Sequence, residues 1–167
     1  QRINAAGLVQ WTANGVAICT AIAEQEPPSI VSDGLNGAII TWEDARTNFA
    51  DIYAQRINAL GIVQWVADGV AICTASGYQR VPMIIPNGLG GAYIAWDDSR
   101  NGVNYDIYAQ LVNAAGVAQW TTDGIAVCVA ADHQNAASII TDGTGGAIVA
   151  WIDNRNGINR DIYAQRI

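Results

Sequence analysis

A chain of 167 residues in which 51% are hydrophobic can bury a sizeable core, which excludes the disordered class. Fifteen acids against eight basic residues, all arginine, leave a net charge of −7 and none of the cation clusters that a nucleic-acid partner requires. No apolar run approaches the roughly 20 residues that cross a bilayer, so no membrane span is expected.

In chain order, Gln1-Arg-Ile3 reads as the end of a strand, Asn4-Ala-Ala-Gly7 as a tight turn and residues 8 to 11 as the return strand. A second turn follows at Asn14-Gly15 and leads to the alternating segment Val16-Ala-Ile-Cys19. A polar linker containing Gln25 precedes the apolar strand Ser29-Ile-Val31. That strand ends at the glycine-rich reversal Asp33-Gly-Leu-Asn-Gly37, which can hardly be helical. The strand Ala38-Ile-Ile-Thr-Trp42 is apolar on both faces, as a strand covered on both sides should be. A polar loop then enters Asp51-Ile-Tyr-Ala-Gln-Arg-Ile57.

From here the chain repeats itself. Asp-Ile-Tyr-Ala-Gln returns at 106 and 161, and Trp11, Trp65 and Trp120 stand 54 and 55 residues apart, as do Cys19, Cys73 and Cys128. A period of this length marks a propeller, solenoid or array. The single length change falls between Arg46 and Asp51, a surface loop where insertions cost little. The units are a partial repeat at 1–23, full repeats at 24–77 and 78–132, and an incomplete third at 133–167. Four short strands per unit, with hairpin turns and no helical period, predict an all-β chain of three tandem four-stranded antiparallel blades, part of a larger ring or array. The expected strand order is the Ile-Ile strand, the Ala-to-Trp strand, the Asp-Ile-Tyr-Ala-Gln strand and the Gln-Trp strand, with all six tryptophans largely buried. The chain begins inside a repeat without Met and reads as a segment of something longer or a processed product.

Ala-Trp-x-Asp-x-Arg-Asn-Gly followed by Asp-Ile-Tyr-Ala-Gln-Arg resembles tandem propeller-like repeats of large secreted and surface proteins of bacteria. The resemblance covers the whole chain and implies an extracellular or cell-surface location. More distantly, the chain is similar to sialidase-type propellers with Asp-box hairpins. Asn58-Ala-Leu-Gly61 through Trp65 occupies the place of the box, with Asn for Asp, one extra residue and no preceding Ser.

The most regular polar constellation is Asp44-x-Arg46…Asp51, repeated as Asp98-x-Arg100…Asp106 and Asp153-x-Arg155…Asp161. An Arg flanked by carboxylates suits a sugar-acid site, but a catalytic site occurs once per ring and this set occurs in every unit. The expectation is therefore structural, with each Arg bridging two acids and tying the loop between strands. No catalytic residue stands out from the periodic background, and a non-enzymatic protein is expected. The loop from Asp98 to Asp106 offers oxygens for Ca²⁺ without the spacing of a known calcium loop, so no cofactor is assigned and calcium stays a minor alternative. His133 is the only histidine and reads as a solvated loop residue, and each Cys as a buried small hydrophobe. The tryptophans, present in apolar strands at every period, read as core.

Three roles follow: a structural or adhesive extracellular module that self-associates into a ring or filament, a lectin-like propeller binding glycans between blades, and, least supported, a sialidase-like hydrolase. Three blades are too few to close a ring, the terminal repeats carry no polar cap, and the charge-depleted surface is poorly protected against association.

Overall fold

The computed structural model describes all 167 residues as an all-β chain with no helix. The first sheet is built from β1 (Gln25–Ser32), β2 (Ala38–Asp44), β3 (Asp51–Ile57) and β4 (Val70–Cys73), in that order and antiparallel throughout. The second repeats it with β5 (Gln79–Pro86), β6 (Ala92–Asp98), β7 (Asp106–Val112) and β8 (Ile125–Cys128). The third has β9 (Gln134–Thr141), β10 (Ala147–Asp153) and β11 (Asp161–Arg166). Residues 1–23 form no strand, only an isolated bridge between Ile3 and Val9, where two strands were expected.

The turns are set by local chemistry. In the reversal after β1, the Asp33 carboxylate accepts N–H bonds from Leu35 and Gly37, and Asn87 and Asp142 do the same after β5 and β9. A Cβ at Gly37 would stand 2.2 Å from the Ile57 carbonyl oxygen, so only glycine lets the reversal close on β3.

The fourth strand is not the Gln-Trp segment. Gln64 donates its N–H to the Arg56 carbonyl and Val63 bridges Ile57, but the pairing then stops. The buried Gln55 side chain takes over the ladder, accepting the Trp65 N–H at 2.9 Å and donating to the Val66 carbonyl at 2.8 Å. The chain bulges away through Asp68-Gly69, both at positive φ, and rejoins β3 as β4, the Cys segment. Gln110 staples Trp120 and Thr121 in the same way. The Gln of Asp-Ile-Tyr-Ala-Gln is thus a side chain doing backbone work.

The sheets stack face to face. β5 packs on β1, β2 and β3, and β9 packs on β5, β6 and β7. One face of each sheet looks forward: Ile39, Ile52 and Ala54 of the first sheet pack on Ile84, Ala92, Ile94 and Trp96 of the second. Ala95, Ile107 and Ala109 of the second pack on Ala137, Val149 and Trp151 of the third. Behind the first sheet, Trp11, Val16, Ile18 and Cys19 cover Ile40, Trp42 and Ile57. Four tryptophans (Trp42, Trp65, Trp96, Trp151) are buried, while Trp11 and Trp120 are only half-buried.

Candidate functional site

The repeated polar residues gather on the face by which each sheet meets the unit before it. At the first node, Asp44 is fully buried at the end of β2 and accepts the Trp42 indole N–H at 2.8 Å. Arg46 meets the same carboxylate with two guanidinium bonds, Nε at 2.8 Å and Nη2 at 2.5 Å, and adds its own backbone N–H. The guanidinium lies 3.9 Å above the Tyr53 ring, donates to the Asp68 carbonyl, and stands 3.3 Å from the Cys19 sulfur. Burial pushes the Asp44 carboxyl up, but the hydrogen bonds from Arg46 and Trp42 outweigh it and hold the group below the usual carboxylate range.

The second node repeats this with Trp96, Asp98, Arg100, Tyr108, Cys73 and the Asp123 carbonyl, and the third with Trp151, Asp153, Arg155, Tyr163 and Cys128. Cys73 and Cys128 thus belong to two sheets each, while Cys19, outside any strand, covers the back of the first sheet. Cys73 pairs with β3 through its backbone while its sulfur sits against Asp98 and Arg100 of the next sheet. The cysteines are therefore more than small hydrophobes, and burial drives the Cys73 thiol up to about 12.

The expected bridge to a second acid does not form. No ion pair joins Arg46 to Asp51, Arg100 to Asp106 or Arg155 to Asp161. Fork-to-carboxylate contact with one Asp and stacking on Tyr consume each guanidinium, and the second acid is held by its own loop. Asp51 accepts from the Thr47 hydroxyl, Asp106 from the Asn101 amide and Asp161 from the Asn156 amide. Burial raises the carboxyls of Asp51 and Asp106.

Further inter-sheet bonds surround the nodes. The Trp11 indole donates to the Ala59 carbonyl and Trp65 to Ala114, each ring lying over the glycine of the next turn, Gly61 or Gly116. Glu43 crosses to accept the Val81 N–H at 2.9 Å, and Asp97 crosses to the Ala136 N–H at 3.1 Å. Val81 and Ala136 sit in the bulges of β5 and β9 at φ 52° and 55°, where non-glycine residues are strained. These acids were not singled out in the sequence. Their signal is faint, since the position reads Glu, Asp and then Ile152.

At the loop rim, Phe49 packs edge-on to Tyr78, and Tyr105 lies beside His133, whose Nδ1 accepts the Tyr105 N–H at 3.1 Å. His133 is exposed, as expected, yet tied to the neighbouring sheet. Phe49, Tyr78, Tyr105, His133 and Asn104 help line an open cavity of about 430 Å³. The candidate calcium loop is folded on itself, with the Asn101 side-chain oxygen accepting from Val103 and Asn104. No cluster of three His, Cys, Asp or Glu side chains gathers to hold a metal.

No protein-family model, curated protein or solved structure matches the chain. No helix is long and apolar enough to cross a membrane.

Proposed function

We propose that this chain is a non-enzymatic structural or adhesive module of an extracellular or cell-surface bacterial protein, a set of propeller-like blades that works by assembling with further copies into a larger ring or filament. One observation carries the reading: the Trp, Asp, Arg, Tyr and Cys that recur as a node in every unit are consumed in packing one unit on the next. Each repeated Arg is spent on its Asp and Tyr, and the Trp and Cys of each node are engaged with it. A repeat that commits a five-residue node to stacking in every unit is built to be stacked. The resemblance to surface repeats supports the location.

A glycan-binding role is a second reading, favoured by the rim cavity. Aromatic rings beside Asn104 are the combination that cradles sugar faces and hydroxyls. A glycan array with the wild-type chain and Tyr78→Ala addresses it, with signal lost in the variant. Light scattering and electron microscopy address the first reading. Assemblies of many chain masses are expected, and a monodisperse species of one chain mass would overturn it.

A further inference from the structure

The residues of the node are the same in all three units, and those at the loop rim differ in each. Around the constant Gln at 25, 79 and 134, the preceding residue is Glu24, Tyr78 or His133 and the following one Glu26, Arg80 or Asn135. Before the constant Asp at 51, 106 and 161 stands Ala50, Tyr105 or Arg160. The one change of length in the period falls in the same rim, between Arg46 and Asp51. In a repeat fold the framework recurs, and the binding face is where units depart from one another.

These variable residues line one continuous groove. The open cavity of about 430 Å³ shares Phe49 and Tyr78 with a second of about 220 Å³ over the first unit, and Tyr105 and His133 with another of about 230 Å³ over the third. Each shared pair spans a joint, Phe49 and Tyr78 with ring centroids 5.1 Å apart and Tyr105 and His133 at 5.9 Å. The same backbone bond sets both pairs in place: Gln79 donates to the Ala50 carbonyl at 2.8 Å and Gln134 to the Tyr105 carbonyl at 2.7 Å. The rings are not spent on the core, since Phe49 is 43% and Tyr78 39% exposed and His133 is exposed too.

The chemistry of the groove selects its occupant. Exposed rings at successive joints offer apolar platforms for sugar faces. Sheets packed face to face stand about 10 Å apart, roughly the reach of two sugar residues in a linear glycan, so neighbouring pairs meet every second ring of one glycan. A peptide would need free backbone groups, but the side chains of Ser99, Asn101 and His133 already accept the N–H groups of Tyr78, Val103, Asn104 and Tyr105. Glu24, Glu26 and Glu43 around the first cavity, on a chain of net charge −7, repel a polyanion.

We infer that the rim groove binds a linear, uncharged oligosaccharide across all three units, laid over the Phe49–Tyr78 pair and then over the Tyr105–His133 pair. Because the three cavities differ, the glycan lies in one register and one direction. This deepens the glycan-binding reading and rests on it.

The test is calorimetric titration of the 167-residue chain with cellobiose, cellohexaose, chitobiose and chitohexaose. At least one hexamer should bind roughly tenfold or more tightly than its dimer, and Phe49→Ala and Tyr105→Ala should each return it toward the dimer's affinity. The length dependence is read on the wild-type chain, so it stands even if a variant misfolds. A dimer bound as tightly as its hexamer, a hexamer insensitive to both substitutions in folded variants, or glycan-array signal with no neutral hexamer bound would overturn the groove while leaving glycan binding standing. Preference for hexagalacturonate over both neutral hexamers would overturn the uncharged class. No binding of any sugar, by titration or on the array, would overturn the groove and the glycan reading together.

Discussion

At the first joint the acid that crosses between sheets is Glu43, half-buried and bound to the Val81 N–H; at the second it is Asp97, buried and bound to the Ala136 N–H. The bond is the same, but the shorter Asp stem draws its carboxylate into the interface, where Oδ1 finds no partner. Burial lifts the Asp97 carboxyl to about 6. One methylene thus decides whether a joint carries its charge at the rim or inside, and the second joint should answer to pH through this group.

The largest effect is expected in the core of the first joint. Trp96 is fully buried in the first joint, and Trp96→Ala should cost about 3–5 kcal/mol in urea unfolding through lost packing and the orphaned Asp98 bond. A loss under about 1 kcal/mol would mean that the indole is not part of the joint.

Asp97→Asn acts on the second joint alone. The Asp97 carboxyl titrates higher in the folded chain than in the unfolded one, so its contribution is fully present below about pH 4 and is lost as pH rises through about 6. Asn keeps the acceptor for Ala136 without the buried charge, and should stabilise the chain near pH 8 by on the order of 2 kcal/mol while changing little at pH 4. Asp44, with its folded value lowered, acts in the opposite sense: its contribution holds above about pH 4 and falls away in stronger acid. Melting curves from pH 3 to 8 read both, and a D97N curve parallel to wild type across that range would refute the assignment.

Arg100→Lys keeps the charge but loses the fork to Asp98 and the stack on Tyr108, a cost of about 1–2 kcal/mol in the same unfolding experiment. Arg155→Lys should cost less, because the third node is more exposed and lacks a backbone carbonyl partner such as Asp68 or Asp123 provides. The smallest effect is kinetic. With its thiol lifted to about 12, Cys73 should react with iodoacetamide roughly tenfold or more slowly than the half-exposed Cys19, read by mass spectrometry.

What the sequence made legible is what local chemistry decides. The turns at Asp33, Asn58 and Asp68, the alternation of β2 and the period itself all follow from residues within a few positions of one another, and the all-β class follows from them. The fourth strand was misread because Gln64-Trp65 and Val70–Cys73 are equally good strands in isolation. Only the long-range reach of the Gln55 amide decides between them. In the same way, Asp44 and Asp51 flank Arg46 on either side, and the choice between them falls to the buried Trp42 indole and the Tyr53 ring. The acids at 43 and 97 were invisible because their partners lie 38 and 39 residues downstream on another sheet.

The Cys segments straddle two sheets, and that gives the molecule a mechanical property. Val70–Cys73 is zipped to β3, its sulfur is lodged against Arg100, and the next N–H, of Thr74, is tied to the Asp123 carboxylate. A pull that peels one sheet away must therefore also tear the edge strand from the other or open its node. Rupture of a joint therefore takes an edge strand or a node with it, and a load applied at one sheet is passed to its neighbour before either gives way.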